Sequence, residues 1–169
     1  QDVAETELLN QLKSQDANLG CVVVMEVETG QIKAIANLSK GSDGKYYEDY
    51  NHAIGRSTEP GSTFKLASLM ALLEDGKMGL NDIVHAKGKY KFYDKYLHDS
   101  KYDGYGMISL KRAFEVSSNV IAEAVNTAYK NEPQDYVDRL RSFGLGEDLG
   151  IELLGEPDPT IRNAGDEGW

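Results

Sequence analysis

A lone β-hairpin is the feature that most limits what this chain can fold into. Cys21-Val22-Val23-Val24-Met25-Glu26-Val27 is β-branched and apolar almost throughout, the pattern of a strand in a sheet interior. Glu28-Thr29-Gly30 makes a turn. Gln31-Ile32-Lys33-Ala34-Ile35-Ala36-Asn37-Leu38 then alternates with period two, as a strand with one polar face does. Two strands do not make an independently stable sheet, and nothing after Leu38 reads as three more convincing strands. Either helices cover the hairpin fully, or the strands that complete its sheet lie outside this sequence.

Helical patterns surround the hairpin. Leucines at 8, 9 and 12 give Glu5 to Lys13 one apolar stripe, a short amphipathic helix. Ser39 to Gly61 is rich in Gly, Ser, Asp, Tyr and Asn without a period, and reads as a long loop of the functional or mobile kind. Pro60-Gly61 breaks the chain, so a helix is expected to begin at Ser62 and to stop at Gly76. Asn81 to Met107 is polar and tyrosine-rich, with short extended pieces at best. Ser109 stands where an N-cap belongs for Leu110 to Val116, a second helix covers Asn119 to Tyr129, and a third starts at Pro133 and ends before Gly144. The tail from Gly146 to Trp169 reads as irregular.

Composition narrows the function classes. The 169 residues include 28 acidic and 18 basic ones, for a formal charge of -10. A surface of that sign does not suit a nucleic-acid backbone or an anionic membrane as main partner. With 40% hydrophobic and 27% charged residues the chain is globular. No apolar run approaches the ~20 residues of a membrane span, and no signal peptide opens the chain. Cys21 is the one cysteine, which excludes an internal disulfide and a Cys-based zinc site. His52, His85 and His98 lack metal-ligand spacing, so no metal or other cofactor is expected. Tyr90, Tyr93, Tyr96, Tyr102 and Tyr105 are expected to pack under a loop, and Asp94, Asp99 and Asp103 to form a solvated face.

Chemistry concentrates at Ser62. Its hydroxyl would sit on the first turn of a helix, where free N–H groups and the dipole favour developing negative charge. Lys65 follows three residues on, sharing its face at about 5–6 Å between β-carbons. Lys65 is also the only charged residue between Ser62 and Leu73, in a helix nearly apolar all round and therefore expected to be buried. Burial disfavours an ammonium and makes a lysine a base near neutral pH. Ser-x-x-Lys alone is a poor pattern: Ser42-Asp43-Gly44-Lys45 fits it too, but follows no breaker and opens no helix. Ser117-Ser118-Asn119 lies at the join of two predicted helices. Such a turn can present a hydroxyl for proton relay and an amide for a substrate carbonyl, or can simply cap a helix.

Together these stretches carry a resemblance. Glu59-Pro60-Gly61-Ser62-Thr63-Phe64-Lys65 followed by Ser117-Ser118-Asn119 resembles the transpeptidase domain of class B penicillin-binding proteins. The hairpin of Cys21 to Leu38, Gly106-Met107-Ile108-Ser109-Leu110, and Phe143-Gly144-Leu145-Gly146 followed by Gly150-Ile151-Glu152-Leu153 match it in order, so the resemblance covers nearly everything from residue 18. The fold it implies is α+β, the three-layer α/β/α fold shared with β-lactamases, here with the helical subdomain present and the sheet incomplete. Residues 1–169 would be the N-terminal part of one transpeptidase domain. In it, 1–38 give a helix and the β-hairpin, and 39–169 the mainly helical subdomain with the first two motifs.

The resemblance also assigns roles. Ser62 would be the nucleophile that attacks the carbonyl of a peptidoglycan stem peptide ending in D-Ala-D-Ala and forms an acyl-enzyme. Lys65 would activate it, Ser117 would pass the proton to the departing D-alanine, and Asn119 would hold the substrate amide and help orient Lys65. β-Lactam antibiotics would acylate the same serine. Cell-division or elongation proteins are implied as partners, and the extracytoplasmic face of the membrane as the location, with a membrane anchor in the full-length protein. A serine β-lactamase, a D,D-carboxypeptidase or a non-catalytic β-lactam sensor are the alternatives sharing the first two motifs. The family's third motif, Lys-Thr/Ser-Gly on a strand, is absent: Ser39-Lys40-Gly41 and Ala86-Lys87-Gly88-Lys89 lack a hydroxyl between Lys and Gly. In the family that strand supplies one of two oxyanion-hole donors, each of which is worth on the order of a hundredfold in rate. The orphan hairpin and the missing motif thus share one expectation: the chain stops before its domain ends, and alone is inactive or weakly active.

Overall fold

A computed structural model describes residues 1–167. Gly168 and Trp169, the end of the tail read as irregular, lie outside the described residues. The chain divides into two compact units, Gln1–Thr58 with Asp148–Asp158, and Glu59–Glu147 with the residues from Pro159 onward.

The first unit lays one helix on a three-stranded antiparallel sheet. α1 (Asp2–Gln15) has Asp2 and Glu5 in its first turn and Lys13 in its last, the charge order that suits a helix dipole. Its Leu8 and Leu12 pack on Ala36 and Leu38 of β2 (Ile32–Lys40). β1 (Leu19–Met25) pairs with β2 from Leu19↔Ser39 to Val24↔Ala34, and β3 (Tyr46–Tyr47) adds to the other edge of β2. The hairpin is as predicted, but the burial of its strands is the reverse of the expectation. β2 lies between two neighbours and buries Ala34, Ala36, Asn37 and Leu38, whereas Val23 and Met25 of the edge strand β1 are 48% and 55% exposed. A β-branched run makes a strand in either place. Which strand is interior depends on neighbours that the run does not encode. The long loop after the hairpin is also partly ordered, by β3 and by the single turn α2 (His52–Gly55). Asn37 fastens that turn: its Oδ1 accepts the Ala53 N–H at 3.0 Å and its Nδ2 donates to Asn51 at 3.1 Å.

The second unit is built on α3 (Lys65–Glu74), α4 (Leu110–Glu115), α5 (Val120–Ala128) and α6 (Pro133–Ser142). Ser109 caps α4 by accepting the Arg112 N–H at 3.1 Å, and Pro133 opens α6, both as the sequence predicts. The polar stretch 81–107 is more ordered than expected. β4 (Ile83–Ala86) pairs with β7 (Gly106–Ser109), and β5 (Lys89–Phe92) with β6 (Lys95–His98). Alternation is present, with Val84, Ala86 and Tyr90 inside and Ile83, His85, Lys89 and Lys91 outside. Lysine and tyrosine obscure it, and so does the β5–β6 turn, where Tyr93 sits at φ 52° in place of the usual Gly or Asn.

Leu69 and Leu72 of α3 meet Tyr90, Leu110, Ala113, Val120 and Ile121 in the core of this unit. Asp75, just past α3, ties three segments together: the Tyr129 hydroxyl donates to its Oδ2 at 2.6 Å, and Arg139 Nε to its Oδ1 at 2.7 Å. The two ribbons cross at Gly88 and Gly104, at φ 83° and 72°, where a β-carbon on either would strike the opposing main chain. That approach lets Asp99 N–H donate to the Gly88 carbonyl at 2.9 Å, which fixes the chain just after β6.

Candidate active site

Pro60-Gly61 breaks the chain as predicted, but the turn that follows is tighter than an α-helix. Gly61–Phe64 form a 3₁₀ turn, and α3 starts only at Lys65. The expected α-helical start at Ser62 is therefore displaced by most of a turn, because the first bonds close three residues apart, with the Lys65 N–H on the Ser62 carbonyl. In a 3₁₀ turn the side chains at i and i+3 eclipse, so Ser62 and Lys65 leave the chain on the same side of the turn. Ser62 itself is exposed. Thr63 secures the turn by donating its hydroxyl to the Pro60 carbonyl at 2.6 Å.

α3 is not buried all round. Ser68, Leu69, Ala71 and Leu72 form its buried stripe, while Leu66 and Met70 are 53% and 39% exposed. An apolar sequence records hydrophobicity without recording which neighbour covers it.

Lys65 reaches from this turn to the second motif. Its Nζ donates to the Ser117 carbonyl at 2.5 Å and to the Ser117 hydroxyl at 3.2 Å. Desolvation pushes the Lys65 pKa below the ordinary lysine value, against the negative charge of Asp99, which acts to raise it. Ser117 follows α4 with φ at 54°, the left-handed region that a β-carbon disfavours, and presents carbonyl and hydroxyl to one amine.

Asp99 is the residue that sequence reasoning misplaced. It is 3% exposed instead of lying on a solvated face. Its carboxylate accepts the Asn119 N–H at 2.6 Å, the Ser118 hydroxyl at 2.7 Å and the Tyr90 hydroxyl at 3.2 Å. Ser118 is fully buried and Tyr90 is 2% exposed, so these donors have no water to turn to. The carboxylate also sits at the N-terminus of α5, where negative charge is favoured. Its partners lie 9, 19 and 20 residues away. No local pattern marks such a residue; only the tertiary fold assembles its contacts.

Asn119 is held by β6, since its Nδ2 donates to the His98 carbonyl at 2.8 Å. Among the described residues no bond joins Asn119 to Lys65, so the anchoring of Lys65 falls on Ser117. The competing Ser42/Lys45 pair lies in the turn before β3, where Asp43 accepts the Lys45 N–H at 3.0 Å. The histidines are dispersed: His52 is paired with Ser39 at 2.7 Å, His85 is on β4 and His98 ends β6. No group of three metal-ligating side chains is present among the described residues.

The arrangement offers an exposed hydroxyl one 3₁₀ turn from a desolvated amine, and a second hydroxyl, that of Ser117, bonded to that amine. The family described as penicillin binding protein transpeptidase domain matches residues 20–163. The peptidoglycan D,D-transpeptidase FtsI of Buchnera aphidicola is 30% identical over 165 residues, a match covering 92% of this chain and 28% of that protein. The chain thus spans well under a third of the length of this curated relative. The transpeptidase domain of Burkholderia pseudomallei penicillin-binding protein 3 superposes with a TM-score of 0.78 at 19% identity, over 99% of this chain and 46% of that one. Penicillin-binding protein 3 of Mycobacterium tuberculosis, solved with aztreonam, gives 0.73 at 22% identity, over 100% of this chain and 39% of that one. These last two likenesses establish the fold as the α+β fold of that domain. The chain belongs to the penicillin-binding protein transpeptidase domain family, on the class B side of it.

Proposed function

We propose that this chain carries the acylation machinery of an extracytoplasmic peptidoglycan D,D-transpeptidase, as the N-terminal part of its transpeptidase domain. The observation that carries the reading is the bonding at Lys65. A neutral amine has two N–H donors and one lone pair. The two donors are accounted for by the Ser117 carbonyl and hydroxyl, and the lone pair is left for the proton of Ser62. Desolvation favours that neutral state.

The Ser62 oxygen then bonds to the penultimate D-alanine carbonyl carbon as its proton passes to Lys65. As the tetrahedral intermediate collapses, the C–N bond to the terminal D-alanine breaks. Ser117 gives its proton to the leaving amine and is reprotonated by Lys65. The Ser62 N–H supplies one oxyanion donor, and Asn119 holds the substrate amide. A β-lactam enters the same path and leaves Ser62 acylated.

Intact-mass spectrometry of the full-length protein with a fluorescent penicillin tests the assignment. A single adduct is expected, abolished by Ser62→Ala and greatly slowed by Lys65→Met. An undiminished adduct on Ser62→Ala would overturn the nucleophile. Rapid turnover of a chromogenic cephalosporin would make the protein a β-lactamase instead.

A further inference from the structure

The second unit holds a pocket that shares no residue with the Ser62 site. It has a volume of about 430 Å³ and opens between β5, the last turns of α5 and the start of α6. Phe92, Tyr93, Val125, Tyr129, Pro133 and Tyr136 make its wall. The two inner phenols are already engaged: Tyr129 donates to Asp75 and to the Ala71 carbonyl, and Tyr136 pairs with Ser68 at 2.8 Å. Their rings, 5.2 Å apart, are thereby fixed, and what they leave for a ligand is carbon surface.

The mouth differs in character from the rest of the chain. Lys91 and Lys130, both exposed, are the only charged residues lining it among the described residues, in a protein of net charge -10. Asn126 adds one amide. At the rim, Tyr93 holds an 84% exposed ring on a left-handed backbone at φ 52°. A non-glycine residue kept in that conformation with its ring in water is a costly way to build a turn, and such strain gathers at binding sites. The pocket therefore combines a fixed aromatic floor, two cations and no carboxylate.

We propose that this pocket docks a short acidic peptide segment of a partner protein. One large apolar side chain seats among Phe92, Tyr129 and Tyr136, and carboxylates on either side of it pair with Lys91 and Lys130. Charge complementarity selects this occupant: the mouth presents two lysines, and carboxylates flanking one apolar side chain pair with both.

Amide NMR of the 169-residue chain tests this with three blocked tripeptides, acetyl-Asp-Trp-Glu-amide, acetyl-Lys-Trp-Lys-amide and acetyl-Asp-Ala-Glu-amide. The first is expected to shift Phe92, Asn126 and Lys130 saturably. The second should bind about tenfold more weakly, and the third should leave these signals unmoved. The double variant Lys91→Glu/Lys130→Glu, altered only at exposed positions and checked for folding by circular dichroism, should reverse the order of the first two. Equal binding of the acidic and basic tryptophan peptides, unchanged preference in the double variant, or no saturable shift at the pocket would each overturn the proposal.

Discussion

Replacing Asp99 by alanine tests whether the second motif is held by a buried carboxylate. Three donors lose their acceptor: the Asn119 N–H, the Ser118 hydroxyl and the Tyr90 hydroxyl. Tyr90 and Ser118 are 3.2 Å apart and can still bond each other, which offsets part of the loss. The Asn119 N–H and one hydroxyl proton remain without a partner. A bond to a charged group contributes about 1.5–3 kcal/mol, so the expected destabilisation is about 3–5 kcal/mol, a large share of a typical domain's stability. Urea denaturation followed by circular dichroism measures it. Asp99→Asn keeps an acceptor for Asn119 and turns an amide toward Ser118, whose oxygen can accept; about half the loss is expected.

A second readout is electrostatic. Asp99 raises the Lys65 pKa against desolvation, so removing its charge lets the pKa fall further. In full-length Asp99→Asn the acid limb of the penicillin acylation rate, along which Lys65 loses its proton, should therefore move to lower pH. An alanine variant within about 0.5 kcal/mol of the parent, or a limb that stays put or moves to higher pH, would refute the reasoning.

Ser117→Gly relieves a left-handed β-carbon and should stabilise the 169-residue chain by about 1 kcal/mol, raising its thermal midpoint by a few degrees. The same change removes the relay hydroxyl and should slow acylation of the full-length protein by about a hundredfold or more; an unchanged rate would remove Ser117 from the proton path. At Asp75 burial works to raise the pKa, but hydrogen bonds from Tyr129 and Arg139 and the charges of Arg139 and Lys77 outweigh it and hold the carboxyl below its ordinary value. A folded pKa lower than the unfolded one stabilises above about pH 4, and that stability is lost as the pH falls through the folded value. Asp75→Asn should therefore lower the urea midpoint at pH 7, by about 1–3 kcal/mol in stability, and the gap should narrow from about pH 4 downward as the pH falls through the folded value. A gap that does not narrow at all as the pH falls below about 4 would show that the charge is not what matters.

What could be read from the sequence was local. The hairpin, the Ser109 cap and the Pro133 helix start each depend on residues within a turn or two of one another, and each is found where expected. What escaped depends on distant neighbours. β1 and β2 exchange their expected burial because a third strand pairs with β2 and not with β1. Asp99 becomes the support of the second motif only when the crossing at Gly88 and Gly104 brings the end of β6 to the start of α5. The β5–β6 ribbon was obscured because tyrosine occupies the turn position where glycine would have announced it.

Ser62, Lys65, Asp99, Ser117 and Asn119 all fall in the unit built from Glu59–Glu147. On the proposed mechanism, proton handling is a cassette: the groups assigned to give, take and relay the proton all lie inside one compact unit. α1 and the hairpin contribute none of the side chains whose bonds and charge are seen to act on the Lys65 amine. Changes that tune the Lys65 amine would then fall within one stretch of the gene.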